Sequence, residues 1–445
     1  MDELQVGGRM ATFDPQKQRD FAVQVVEQLR AAGFTAYWAG GCVRDHLLKR
    51  RPKDYDVATS ATPPEIRRVF GTRKTLEIGA AFGVVAVVGP YRTGTVEVTT
   101  FRRDATYSDG RHPDAVAFST PEEDAQRRDF TINGLFFDPL DERVIDFVHG
   151  VEDLERGIVR AIGDPRARFS EDKLRLLRAV RMATTFGFRL DEATADAIRE
   201  MAPQVTVVSA ERIAQEMRLL LVLPRRVSGL TILRDTGLLD LLLPELADAA
   251  ASGRQFDGRE AWAMALAVLG ELPEPTFPLS LAAVLHAVER PEVCVRNLAG
   301  RWKLSKHESD RAAWLVQYVS KLANASGKPW SQVQRLLAAP GGPDLVALAE
   351  ARAKAAGASL ESANYCRTRL ALPRDELDPP PLVTGDDLLA HGVRRGKKYA
   401  VLLTYLRDAQ LDGFIADKRA GLRLVDEWLA AGKDSPTNTD SPSDN

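Results

Sequence analysis

The chain has 445 residues, 44% hydrophobic and 27% charged, the balance of a globular protein rather than a disordered or fibrous one. At that length about two to four domains are expected. The 60 Lys and Arg stand against 62 Asp and Glu, a formal charge of -2, so the chain as a whole does not attract nucleic acid and any RNA contact must come from local basic faces.

Cys42, Cys294 and Cys366 are odd in number and scattered, with no CxxC. That pattern excludes a disulfide framework and a cysteine zinc site, and points to a reducing compartment. Met1-Asp2-Glu3-Leu4 lacks the basic and apolar regions of a signal peptide. No apolar run approaches the roughly 18 residues that span a bilayer. A cytoplasmic protein with no membrane attachment and no obligate protein partner is expected.

The first dozen residues are Gly-rich and expected to be loose. Phe21, Val25 and Leu29 recur at helical spacing, predicting a helix over Phe21 to Ala32 that ends at Gly33. A strand over Thr35 to Ala39 runs into Gly40-Gly41. Helical signal follows around Pro64 to Phe70, and further strands are expected over Tyr55 to Ala58, Val84 to Val88 and Val96 to Phe101. Up to about Gly150 the pattern is mixed α/β. Beyond it helices dominate: Glu171 to Phe186, Asp191 to Met201, Ala210 to Leu223 and Val227 to Thr236. Pro and Gly break the later part at 251–258, 340–343 and 378–381. Residues 434–445 are polar without an apolar anchor and are expected to be disordered.

Asp54-Tyr55-Asp56 is the first chemical signal. On a strand, residues two apart share a face, so the two carboxylates would converge and hold hard cations such as Mg²⁺. Two such ions, about 3.5–4 Å apart, serve phosphoryl transfer in many enzymes. Glu97, flanked by Val96 and Val98 on another strand, offers a third carboxylate. Ahead of these acids, Gly40-Gly41-Cys42-Val43-Arg44-Asp45 joins a strand to a helix. Its glycines admit a triphosphate close to the backbone amides, and Arg44 adds a phosphate contact.

A glycine turn, an arginine, a DxD and a strand acid, in this order, resemble the polymerase β-like nucleotidyltransferases, and within them the class II tRNA nucleotidyltransferases and bacterial poly(A) polymerases. The resemblance runs from about Ala36 to Leu246. It continues through Val96-Glu97-Val98-Thr99-Thr100-Phe101-Arg102 and Arg127-Arg128-Asp129-Phe130-Thr131-Ile132-Asn133. It then takes in Glu171-Asp172-x-Leu174-Arg175-x-x-Arg178-Ala179-x-Arg181 and Glu211-Arg212-Ile213-x-x-Glu216. It implies that Asp54 and Asp56 bind Mg²⁺ with Glu97 beside them. It also implies that Gly40, Gly41, Arg44, Arg128, Asp129, Asn133, Asp172, Arg175, Arg178 and Arg181 form the nucleotide site.

Asp172 and Arg175 admit a direct chemical reading. Asp172 only accepts hydrogen bonds and Arg175 only donates. Cytosine and adenine both present an amino donor beside a ring-nitrogen acceptor, whereas guanine and uracil present the reverse. A side-by-side Asp–Arg pair on one helix would therefore satisfy C and A and leave polar groups unpaired against G and U. The polar stretch Arg103 to Phe118 reads as a long mobile loop. Such a loop is typical of relatives that add C, which argues against an enzyme adding only A.

Leu279 to Val288 resembles an HD-phosphohydrolase helix, but Ala287 stands where the motif needs Asp, so no metal centre or hydrolase activity is expected there. Arg394, Arg395, Lys397 and Lys398 precede a C-terminal helix and suit RNA phosphates. The expected fold is α+β, a nucleotidyltransferase head with a small mixed sheet followed by an all-helical neck, body and tail. The head is placed at 13–150, the neck at 151–222, and the body and tail at 223–433, with a degenerate HD-like region near 270–330. The expected reaction is template-independent addition of C and A to the tRNA 3′ end from CTP and ATP. Poly(A) addition, CC addition alone, and a non-catalytic RNA-binding protein stay open as alternatives.

Overall fold

The computed structural model describes residues 14–79, 83–104 and 116–431. The expectations for the first dozen residues, for 105–115 of the polar loop, for 434–445 and for the side chains of Lys397 and Lys398 lie outside the described residues. The chain divides into two compact units between Leu242 and Leu243.

The first unit opens with α1 (Pro15–Ala31), started by Asp14, whose carboxylate accepts from the Gln16 backbone N–H at 3.1 Å. Its buried stripe of Phe21, Val25, Val26 and Leu29 packs into one core with Trp38, Val57, Val96 and Val98. The chain then forms β1 (Ala36–Ala39), α2 (Gly41–Leu47), β2 (Asp56–Thr59), α3 (Pro63–Phe70), β3 (Thr75–Gly79), β4 (Val84–Val88) and β5 (Thr95–Thr100). A hairpin of β6 (Arg102–Asp104) and β7 (Val116–Phe118) follows, then α4 (Pro121–Gln126), β8 (Phe136–Asp138), β9 (Arg143–Ile145) and α5 (Gly150–Glu155).

Seven strands form one mixed sheet in the order β3-β4-β5-β2-β1-β8-β9. Only the β2–β5 pair is parallel among the described strands of this sheet. Trp38 of β1 lies opposite Val57, and Ala39 opposite Phe136. The end of β1 therefore meets the starts of β2 and β8 at one end of these interior strands, where Gly40, Asp56 and the residues before Phe136 gather.

Three local expectations are corrected. Asp54 lies in a bend before β2 rather than in the strand, so Asp54 and Asp56 do not share a strand face. The face is shared instead by Asp56 and Glu97, which sit in register on parallel neighbours. The polar loop 103–118 is not loose at its ends, because Arg102 pairs with Phe118 and Asp104 with Val116. Glu171 to Phe186 is not one helix. It divides into α6 (Pro165–Glu171) and α7 (Arg175–Phe186), with Asp172 extended at φ -147° between them. The Asp172 carboxylate accepts from the Leu174 N–H at 3.0 Å, the local capping that makes Asp a poor helix-interior residue.

The unit is completed by helices α8 (Glu192–Met201), α9 (Ala210–Leu221), α10 (Arg226–Asp235) and α11 (Leu238–Leu242). This part is not purely helical: Ile158–Val159 and Arg189–Leu190 form a short parallel pair. The second unit runs in helices from Pro244–Ala251 to Lys418–Ala430, interrupted by a hairpin of Gln255–Phe256 and Arg259–Glu260. Phe277–Leu285 is buried along its whole length. His286 follows it, 4% exposed, with Nδ1 2.8 Å from the Ala283 carbonyl, and burial lowers its pKa to about 4. Ala287 is fully buried, so this segment packs as core. No helix among the described residues is long and apolar enough to cross a membrane.

Candidate active site

The strand ends that gather Gly40 and Asp56 open into a cleft of about 500 Å³. Gly40 has φ +74°, and a Cβ there would lie 2.8 Å from Arg128 Nη1, so glycine is needed for both its backbone and the closeness of the arginine. Asp56, Arg44, Arg128, Asp129, Asn133, Asp172, Arg175 and Arg178 line the same cleft with Gly40 and Gly41. Residues spread over more than a hundred positions thus meet at one surface. Asp54, Glu97 and Arg181 are not among the lining residues.

Asp56 is half-buried, while Asp54 and Glu97 are exposed. Burial, followed by the negative charges of Asp54 and Glu97, pushes the Asp56 carboxyl up to about 7, against the pull of Arg128. Three acids therefore lean on one another where Arg128 is the cation that acts on Asp56. Cys42, behind them, is buried and its thiol is pushed up to about 12, so it is an inert packing residue.

The opposite wall is a chain of charge-assisted bonds. Arg44 donates to the Asn133 side-chain oxygen at 2.5 Å, and its guanidinium lies 4.5 Å from the Phe186 ring centroid. The Asn133 amide donates to Asp129 at 3.0 Å. Asp129 also accepts two bonds from Arg178, at 3.0 and 2.6 Å, which hold its carboxyl far below the usual range despite its burial. This chain ties α2, the turn before β8, and α7 into one rigid wall. Beside it, the buried Asp124 grips two neighbours at once. One oxygen takes Arg127 at 2.9 and 2.7 Å and the other takes Arg128 at 3.2 and 2.9 Å.

Asp172 and Arg175 both line the cleft but are not paired with each other. Arg212 of α9 donates to both Asp172 oxygens, at 3.2 and 2.7 Å. Arg175 pairs with Glu171 and donates to the Arg168 carbonyl at 2.9 Å. Arg181 does not line the cleft and pairs with the buried Glu216. Arg127, Leu174, Met182 and Arg212 also line the cleft and were not assigned from sequence. Arg127 and Arg212 stand inside the quoted motifs, which was the signal available. Leu174 is also quoted within a motif, and Met182 alone carried no signal beyond apolarity.

Residues 36–160 match the poly A polymerase head domain, and residues 187–250 match a probable RNA and SrmB-binding site of polymerase A. A CCA-adding enzyme of Enterococcus faecalis is 36% identical over 311 residues, covering 68% of this chain and 69% of that protein. A CCA-adding enzyme of Limosilactobacillus fermentum is 32% identical over 423 residues, covering 95% of this chain and 98% of the relative. The chain belongs to the CCA-adding enzyme family. A crystal structure of a Bacillus stearothermophilus CCA-adding enzyme in complex with CTP superimposes with a TM-score of 0.76 at 29% identity, over 94% of this chain and 99% of that one. The segment matched to the head domain supplies the strand ends at the cleft, and residues 172–212 beyond it supply the rest of the lining.

Proposed function

We propose that the chain adds C and A nucleotides to the 3′ end of tRNA, using CTP and ATP and releasing pyrophosphate. The observation that carries this reading is the cleft itself. Asp56, in register with Glu97, faces a wall of arginines, and Asp172 stands at the same opening in a chain of the CCA-adding family.

We assign Mg²⁺ to Asp54 and Asp56, with Glu97 as a third carboxylate. The donor set fits: the Asp56 carboxyl, raised to about 7 by burial and then by the charges of Asp54 and Glu97, stands where a divalent ion would offset negative charge that Arg128 offsets only in part. Among the described residues no three acid, His or Cys side chains are already gathered to hold a metal. A Mg²⁺ ion commonly binds through one or two carboxylates, here Asp54 and Asp56, and completes its shell with substrate phosphates and water. Bound there, the ion would neutralise charge on the transferred phosphoryl group.

The chain's own residues do the rest. The amides after Gly40 and the guanidinium groups of Arg44 and Arg128 receive the triphosphate. Asp129 and Asn133 hold Arg178 and Arg44 in place, so the positive wall is set before substrate arrives. Asp172 accepts from the exocyclic amino group of C or A, and Arg175 donates to the ring nitrogen. The 3′-hydroxyl of the RNA attacks the α-phosphate and pyrophosphate leaves. Arg394 and Arg395, both exposed, together with Lys397 and Lys398, are assigned to RNA phosphates. We read 13–150 as the catalytic head, 151–222 as the neck and 223–433 as an RNA-binding body and tail, in a cytoplasmic protein.

The match of residues 36–160 to a poly A polymerase head favours one second reading, repeated A addition. The test offers each nucleoside triphosphate singly, with Mg²⁺, to tRNA trimmed of its last three nucleotides. Uptake of CTP with refusal of UTP and GTP supports the proposal, and uptake of ATP alone supports the second reading.

A further inference from the structure

We propose that the helix Lys306–Tyr318 and the turns after it form a docking surface for an RNA strand, taking phosphates on cations and unstacked bases on aromatic rings. The assignment rests on the tRNA reading above. His307, Arg311, Trp314 and Tyr318 recur at spacings of four, three and four residues, so they share one helical face about 16 Å long. His307 is exposed, and the other three are half-buried.

The face is built rather than incidental. Arg311 and Trp314 seat on the backbone of Gly341, where a Cβ would come within 2.5 Å of Arg311 Nη1 and 2.6 Å of Trp314 Cζ3. The Trp314 and Tyr318 rings lie 5.4 Å apart. Lys321 Nζ sits 4.7 Å from the Tyr318 centroid, and Lys328 donates to the Lys321 carbonyl at 2.7 Å, so two further cations stand at the end of the stripe. Elsewhere in the same unit Arg369 lies 4.9 Å from the Trp330 centroid and 5.3 Å from that of Tyr365.

The acids near the face are engaged, and Glu361, beside the turns after the helix, accepts from the Ser326 hydroxyl at 2.9 Å. Glu308 of the same helix is taken by its own N-cap, accepting from the Ser305 N–H and hydroxyl at 2.9 Å. Asp310 is taken by Arg296 at 3.2 Å. Asp344 is the acid that Arg311's charge reaches, and burial raises its carboxyl. Among the described residues no ion pair joins Arg311, Lys321, Lys328 or Arg369 to an acid. Cations outside any ion pair among the described residues, interleaved with half-open rings, complement a polyanion with stacking bases better than an apolar protein face.

Trp314→Ala would disturb the packing on Gly341, so the test uses a full-length variant combining Arg311→Gln, Lys321→Gln and Lys328→Gln. Binding of trimmed tRNA is measured across a salt series, together with steady-state kinetics. The slope of log Kd against log salt concentration should fall by about one per cation removed, and KM for tRNA should rise roughly tenfold. The kcat at saturating tRNA and the KM for CTP should not change. An unaltered salt slope and tRNA KM would overturn the proposal. Wild-type protein that binds tRNA but adds no nucleotide would remove the catalytic reading and leave the slope comparison standing. Wild-type protein that binds no tRNA would overturn both.

Discussion

Arg212→Ala tests base selection at a residue whose role depends on a long-range contact. Arg212 grips both oxygens of Asp172, at 3.2 and 2.7 Å, and the two side chains are only 22% and 16% exposed. Asp172 is otherwise fixed by one bond, from the Leu174 N–H at 3.0 Å. Removing Arg212 leaves the acid free to turn to solvent, so it no longer presents an acceptor at a set place in the cleft. A charge-assisted hydrogen bond contributes about 1.5–3 kcal/mol, and each 1.36 kcal/mol is about a factor of ten. Preference for CTP and ATP over UTP and GTP should therefore fall by roughly ten- to a hundredfold. Asp172→Ala should lose a similar amount. The double variant should be no worse than either single one, because both remove the same device. The assay is kcat/KM for the four nucleoside triphosphates on trimmed tRNA. Unchanged base preference with only a lower rate, or additive losses in the double variant, would refute the reasoning.

Asp56→Ala and Asp54→Ala should abolish nucleotide addition and leave the tRNA Kd within a factor of about two, since both are assigned to metal and neither to RNA; turnover near wild type in either would displace the site. Gly40→Ala places a methyl 2.8 Å from Arg128 Nη1 at a φ of +74°, so KM for CTP and for ATP should rise together, read from initial rates on saturating tRNA. Asp129→Ala strands Arg178 in the wall, and because 34% of that arginine side chain stays in solvent the cost sits near the low end of the range, about 3 kcal/mol at pH 7, read by urea unfolding. The sign follows from the Asp129 carboxyl, which is depressed in the fold. The wild-type advantage over Asp129→Ala is full above the unfolded carboxylate pKa of about 4 and is lost as pH falls through the folded value.

The motifs announced themselves because their chemistry is local: a glycine turn, a DxD, an Arg-Arg-Asp. Their partners did not. That Glu97 faces Asp56 depends on β2 and β5 being parallel neighbours, a pairing between residues far apart in sequence. The bond from Arg212 to Asp172 likewise spans forty positions. Helical periodicity across Glu171 to Phe186 was real on either side of Asp172, and the break is invisible to periodicity because it is made by one side chain capping its own turn. Strands β8 and β9 hold three residues each, too few to display alternation. Strand β3 was missed for another reason: it is the sheet's edge, with Leu76 and Ile78 facing outward at 56% and 46% exposure, so its apolar residues mark no core. Strands β1, β4 and β5 bury their apolar residues in the usual pattern and were legible within a residue or so, whereas α1 was legible at its end but starts six residues earlier, at Pro15.

The most direct test of the whole account is the length of the product. Trimmed tRNA is incubated to completion with Mg²⁺ and excess protein, and the RNA is sized at single-nucleotide resolution. With CTP alone the RNA should grow by two residues and stop; with CTP and ATP together it should grow by three and stop. A long ladder with ATP alone, or no growth under any condition, would contradict the account.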